Sequence, residues 1–96
     1  MPKIMNVITN EKLDKYFLIT KKAIDKAKTV INSEEKEKAE DFLDMATRYY
    51  DDAQFFRKKG NIVNAFAAVN YSHGWLDAGA RIGLFKVKDS HLFTVD

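Results

Sequence analysis

Apolar side chains recur at three- and four-residue steps along most of this chain, and the recurrence is interrupted at only a few points. Leu13, Tyr16, Phe17, Thr20, Ala23, Ile24, Ala27, Val30 and Ile31 fall on one face of a helix with about 3.6 residues per turn. Thr9 or Asn10 can cap its start, because a side-chain oxygen there accepts from the open amides of the first turn. A first helix is therefore predicted over about residues 11–31. Asn32 and Ser33 interrupt the pattern, and Glu34, Glu35 and Glu37 suit the positive end of a new helix dipole. The second helix is predicted over about 33–59, with Ala39, Phe42, Leu43, Ala46, Tyr49, Tyr50, Ala53 and Phe56 as its apolar stripe. Arg57, Lys58 and Lys59 suit its negative end, and Gly60 stops it. Asn61 then caps a third helix over about 62–82. A connection as short as Gly60-Asn61 makes the second and third helices antiparallel neighbours.

The third helix differs from the other two in being apolar on two sides. One side carries Ile62, Phe66, Val69, Leu76 and Ala80; the other carries Ala68, Tyr71, Trp75, Ala78 and Ile82. Small residues recur throughout it, which suits close approach of neighbouring backbones. It is expected to be the most buried helix, touching both others. After Gly83 the helix ends. The tail at 84–96 is too apolar to hang free, with Leu84, Phe85, Val87, Leu92, Phe93 and Val95 needing cover. An extended arm crossing the bundle is preferred to a hairpin of 84–87 against 92–95, since an isolated two-stranded hairpin is marginal in water. Docking on a partner is the remaining option. The fold class predicted is all-α: one domain over residues 1–96, an antiparallel three-helix bundle with an extended C-terminal tail.

Composition narrows the class. The chain has 96 residues, 46% of them hydrophobic and 31% charged, an ordinary globular balance with enough length for one core. The longest apolar run, Ala65 to Val69, is far short of the ~20 residues a membrane span needs, and the first ten residues lack a signal-peptide block. No membrane association is expected, and a cytoplasmic location is. With no cysteine there is no disulfide framework and no thiol nucleophile. The net charge of +2 is too small to argue for nucleic acid by itself. Its distribution is uneven: residues 1–32 carry a net +4 and residues 33–59 a net −2. Lys12, Lys15, Lys22 and Lys26 gather on one flank of the first helix. They read as a solvated flank whose stems cover apolar surface, or as a stripe tracking phosphates.

Candidate chemistry concentrates on the third helix. Asn70, His73, Asp77 and Arg81 stand three, four and four residues apart, a single stripe. His73 and Asp77 are both ordinary metal ligands, but two ligands do not make a site, and a third would have to come from Asp44, Asp51 or Asp52. No metal site is assigned. His73 as a general base, oriented by Asp77, lacks a nucleophile beside it; Ser72 points about 100° away. The alternative is a structural network, with His73 satisfied by a neighbour, Asp77 paired with Arg81 and Asn70 bonded to a loop or the tail. Asp41, Asp44, Asp51 and Asp52 with Arg48 read as a solvated face with pairs such as Asp44 to Arg48. Tyr49, Tyr50 and Tyr71 are expected in the core or at its edge. No phosphate loop, dinucleotide fingerprint, HExxH or EF-hand loop is present, so no cofactor is assigned, and no catalytic residue.

The run from Arg48 to Phe85, RYYDDAQFFRKKGNIVNAFAAVNYSHGWLDAGARIGLF, resembles the archaeal family of small proteins called domain of unknown function 357. The shared pattern AFA..NY.HGWLDAG.R.GLF falls here on Ala65 to Ala67, Asn70-Tyr71, His73 to Gly79, Arg81 and Gly83 to Phe85. The resemblance implies an archaeal, cytoplasmic helical bundle and brings no activity with it. A weaker resemblance is to HEPN helical domains, whose RNA-cleaving members carry an Arg four to six residues ahead of a His. Ahead of His73 stand Phe66, Ala67, Ala68 and Val69, so cleavage is not implied, whereas binding of a nucleotide or RNA is compatible.

The function expected is a non-enzymatic binding or protein-interaction module, in the form of a homodimer or with another protein partner. An RNA- or nucleotide-binding accessory protein using the lysine stripe is the first alternative. A metal- or nucleotide-dependent enzyme built on His73 and Asp77 is the second.

Overall fold

The computed structural model describes residues 3–94. Three helices occupy the predicted segments: α1 (Asn10–Thr29), α2 (Lys36–Lys58) and α3 (Ile62–Arg81), with a 3-10 turn at Ser33–Glu35 between the first two. Thr9 caps α1, its side chain accepting from the backbone amide of Lys12. Asn32 caps the 3-10 turn by accepting from the amide of Glu34, so the second helix opens with a tight turn before it becomes α-helical. Residues 3–9 ahead of α1 are non-helical.

α2 and α3 end in the same way. At Gly60 (φ 78°) the amide of Asn61 bonds Phe56 O at 2.9 Å and that of Gly60 bonds Arg57 O at 3.0 Å. At Gly83 (φ 82°) the amide of Leu84 bonds Gly79 O at 2.8 Å and that of Gly83 bonds Ala80 O at 3.2 Å. This paired closure needs a left-handed residue, which glycine adopts without a Cβ penalty. Asn61 serves twice, closing α2 with its amide and capping α3 by accepting from the amide of Asn64 at 3.2 Å.

The α2–α3 contact is the most extensive in the molecule, and small residues make it. On α2, Ala39, Ala46 and Ala53 are fully buried; on α3, so are Ala65 and Ser72, with Gly79 also buried. Both series step by seven residues. The Ser72 hydroxyl donates to Ala46 O at 2.6 Å, and with the helices antiparallel this register sets Ala53 against Ala65 and Ala39 against Gly79. Without large side chains in between, the two backbones approach closely and dispersion contacts accumulate along the seam.

α1 packs on this pair and touches α3 more than α2. It runs parallel to α3, since Tyr16 meets Phe66, Thr20 meets His73 and Ile31 meets Phe85. Toward its start, Leu13 and Phe17 join Ala53, Ala65 and Val69 in one core cluster. Arg57 there pairs with Asp14 and lies over the Phe17 ring, 5.1 Å from its centroid. Toward its end, Ala23, Ile24 and Ala27 join Ala39, Ala46 and Leu76 in a second cluster, which the tail completes with Leu84, Phe85 and Phe93. The molecule is flattened, 49 × 32 × 15 Å along its principal axes, with α3 in the middle.

The tail is an arm rather than a hairpin. Its first residues lie against the α1–α2 connection: the Asn32 amide donates to Leu84 O, the Lys86 amide donates to Val30 O at 2.8 Å, and Asn32 Nδ2 donates to Gly83 O. It then turns at Asp89, which accepts from the His91 amide, and sends Phe93 back into the core. Val95 and Asp96, the last residues of the expected tail, lie outside the described residues.

The expectation that α3 is covered on both apolar sides does not hold. The Val69 and Leu76 side is buried. On the other side Ala68 is buried and Trp75 half-buried, but Ala78 is exposed, Tyr71 is 54% exposed and Ile82 62%. Tyr71, expected at the core edge, is thus a surface residue.

Candidate functional site

The polar stripe of α3 divides into a latch and two surface residues. His73 sits half-buried between α1 and the tail. Its Nδ1 stands 3.0 Å from the Thr20 hydroxyl and its Nε2 2.7 Å from the Leu92 carbonyl oxygen. A carbonyl only accepts, so Nε2 carries a proton and donates to it, while Nδ1 shares a hydrogen bond with the Thr20 hydroxyl. One turn on, Asp77 accepts from the Thr94 amide at 2.9 Å and from the Thr94 hydroxyl at 3.3 Å. Asp77 Oδ1 also lies 3.7 Å from His73 Nε2. Together these groups hold the returning arm against α3 while Phe93 enters the core. Asn70, one turn before His73, is exposed. Arg81 lines a hollow with Asp77, Ala78 and Thr94.

Both imidazole nitrogens of His73 are engaged by protein groups. Among the described residues no three His, Cys, Asp or Glu side chains stand together as a metal-binding group. Asp44 pairs with Arg48 at 2.9 Å along α2, the spacing expected of a solvated face. Lys12, Lys15, Lys22 and Lys26 are all exposed along α1. Lys12 and Lys15 border a hollow with Thr9, Glu11 and Tyr16, close to where Tyr16 packs edge-on to Phe66. Burial pushes the Tyr50 hydroxyl up from its usual range, an effect that nearby Lys21 opposes, so Tyr50 stays neutral at physiological pH.

The latch yields a test. His73→Ala removes both partners at once and leaves the Thr20 hydroxyl and Leu92 carbonyl unpaired in a part-buried place, at a cost of about 1–3 kcal/mol. The expected result is faster amide hydrogen exchange across residues 86–94, with the α2–α3 seam still protected. Uniform loss of protection over all three helices would show that His73 supports the whole fold instead.

The larger surface feature is the open side of the α2–α3 seam, opposite α1. Four rings run across it: Phe42 meets Trp75 at 5.0 Å, Trp75 meets Tyr71 at 6.4 Å, and Tyr71 meets Tyr49 at 4.4 Å, each edge to face. Such pairs are worth about 0.5–1.5 kcal/mol beyond their burial, which holds the rings in place as a rigid surface. Beside Tyr71 the seam opens into a shallow groove of about 520 Å³, floored by Phe56, Ala67 and Ala68 and edged by Tyr49, Asp52 and Asn64. A second hollow lies beside Trp75, over Gly74 and Ala78.

Sequence reasoning placed His73 and Asp77 together but missed what they bind, because Thr20, Leu92 and Thr94 lie on remote segments. Thr20 had one visible signal, a hydroxyl inside an otherwise apolar stripe. The ring row was missed because Phe42 and Tyr49 read as core positions.

A family model described as a protein of unknown function, DUF357, matches residues 15–85. No curated protein and no solved structure matches the chain. No helix among the described residues is long and apolar enough to cross a membrane.

Proposed function

Because the chain belongs to the DUF357 family, whose description assigns no activity, we propose a function from its own surface: a non-enzymatic interaction module that self-associates through the open face of α2 and α3. One observation carries this reading. α3 is twenty residues long, its only Asp, Glu, Lys or Arg residues are Asp77 and Arg81, and yet Val63, Ala67, Tyr71 and Ala78 along it meet solvent. A contiguous apolar patch edged by polar groups marks an interaction surface. The rings along the seam suit that role, since tyrosine and tryptophan supply large contact area at low entropic cost.

A second copy of this chain is the partner this patch suits. Two copies facing each other about a two-fold axis along α3 use the same patch on both, a closed arrangement, and the net charge of +2 per chain opposes it little.

Light scattering coupled to gel filtration tests this. The full chain is expected to elute as a dimer at micromolar concentration. Tyr71→Lys, at a surface position, should weaken the dimer by at least about tenfold, or ~1.4 kcal/mol, with the helical signal unchanged. A monomer at every concentration would remove the proposal.

A further inference from the structure

The molecule has a second unpartnered apolar element. Residues 3–9 form a non-helical segment ahead of α1. Ile4, Met5 and Val7 on it are 77%, 81% and 74% exposed, three of the most exposed large apolar side chains among the described residues. Only Ile8 is anchored, packing against the cluster of Leu13, Phe17 and Ala65. Each chain thus presents one bare apolar segment and one bare apolar groove.

We infer that residues 3–7 of one copy occupy the groove between Tyr49, Phe56 and Tyr71 of a second copy, so that the two chains exchange their N-terminal segments. The inference rests on the self-association proposed above and names what enters the groove. Three features of the site fit this occupant. First, Phe56 both floors the groove and joins the cluster that holds Ile8, so the root of the segment and the mouth of the groove lie at the same end of the bundle. Dimerisation about an axis along α3 brings one copy's segment to the other's groove without unfolding either. Second, the segment carries Lys3 and no acid, while the groove is edged by Asp52 with Asp51 beside it on acidic α2, so charge favours entry. Third, a non-helical segment brings unpaired backbone donors and acceptors. The Asn64 amide and the two tyrosine hydroxyls at the groove edge can satisfy them, while Ile4, Met5 and Val7 meet the apolar floor. Because the exchange is reciprocal about the two-fold axis, it closes at two copies.

The absence of cysteine makes a direct test clean. One chain carries a single cysteine in the segment (Ile4→Cys, Met5→Cys or Val7→Cys) and the other a single cysteine in the groove (Asn64→Cys or Ala67→Cys). Mixed and mildly oxidised, they are expected to give a bridged heterodimer in preference to either bridged homodimer. In parallel, Ile4→Ser, Met5→Ser and Val7→Ser together should raise the dimer dissociation constant by at least about tenfold, leaving thermal unfolding of the isolated bundle unchanged. If chains carrying both cysteines bridge internally and remain monomeric, the segment folds onto its own groove and the exchange is wrong. If the dimer persists unweakened in the triple serine variant and no segment-to-groove bridge forms, the exchange fails while self-association stands. If the unmodified chain is a monomer throughout, both fail.

Discussion

Gly79→Ala should destabilise the fold by about 2–4 kcal/mol, even though alanine is the better helix former by roughly 1 kcal/mol at an ordinary position. Gly79 is where the chain passes back over itself. The Leu84 amide bonds the Gly79 carbonyl, and the Phe85 ring then lies directly on the helix. A methyl group on Gly79 would stand 2.8 Å from Phe85 Cδ2 and nearer still to Cε2. The ring is only 1% exposed and its backbone is held by the bridge to Ile31, so it has little room into which to move. Nor can α3 retreat, because Gly79 faces Ala39 in the small-residue seam. For a chain of this size the midpoint of thermal unfolding should fall by roughly 10–20 °C. Phe85→Leu made in the Gly79→Ala background should recover part of the loss, although Phe85→Leu alone destabilises. Simple additivity of the two changes would mean that the contact is not the cause. Gly74→Ala, where no atom comes within 4 Å of an added Cβ, is the control and should be neutral or stabilising.

Phe93→Ala should cost a comparable amount, about 3–5 kcal/mol. Phe93 is 2% exposed and packs with Ala23, Ile24, Ala27 and Leu76. Removing the ring leaves a cavity in that cluster, which its neighbours close only in part. Urea unfolding should show the loss as a lower midpoint with the slope preserved. A stability change below about 1 kcal/mol would mean the tail is an accessory rather than part of the core.

The helices and their ends were legible in the sequence because each end carries its own chemistry. Thr9, Asn32, Gly60, Asn61 and Gly83 all act in the structure as their types suggest, through bonds to residues at most five positions away. Features that depend on remote segments were not legible. Gly79 was visible as one small residue among many, but nothing in its neighbourhood says that Phe85 lies upon it. The stripe of Asn70, His73, Asp77 and Arg81 was correctly placed on one flank, yet its periodicity could not distinguish a ligand site from a latch. That distinction depends on Thr20, fifty-three residues away from His73. The two apolar sides of α3 were also read correctly as apolar. Apolarity records that a surface is better removed from water and says nothing about what removes it, so the side bearing Tyr71 could not be told from the side bearing Leu76.

The seam between α2 and α3 is strong because its residues are small, and the same property makes it repetitive. Ala39, Ala46 and Ala53 repeat at the interval at which Ala65, Ser72 and Gly79 repeat, so sliding one helix along the other by seven residues would offer nearly the same surface again. Packing alone therefore does not decide which step of the ladder is occupied. The alignment is decided elsewhere, by a connection of Gly60 and Asn61 with no slack to release; the Ser72 hydroxyl, here on the Ala46 carbonyl, would meet another backbone carbonyl one step along. Adhesion is spread over six small residues, and uniqueness rests on the two that join the helices.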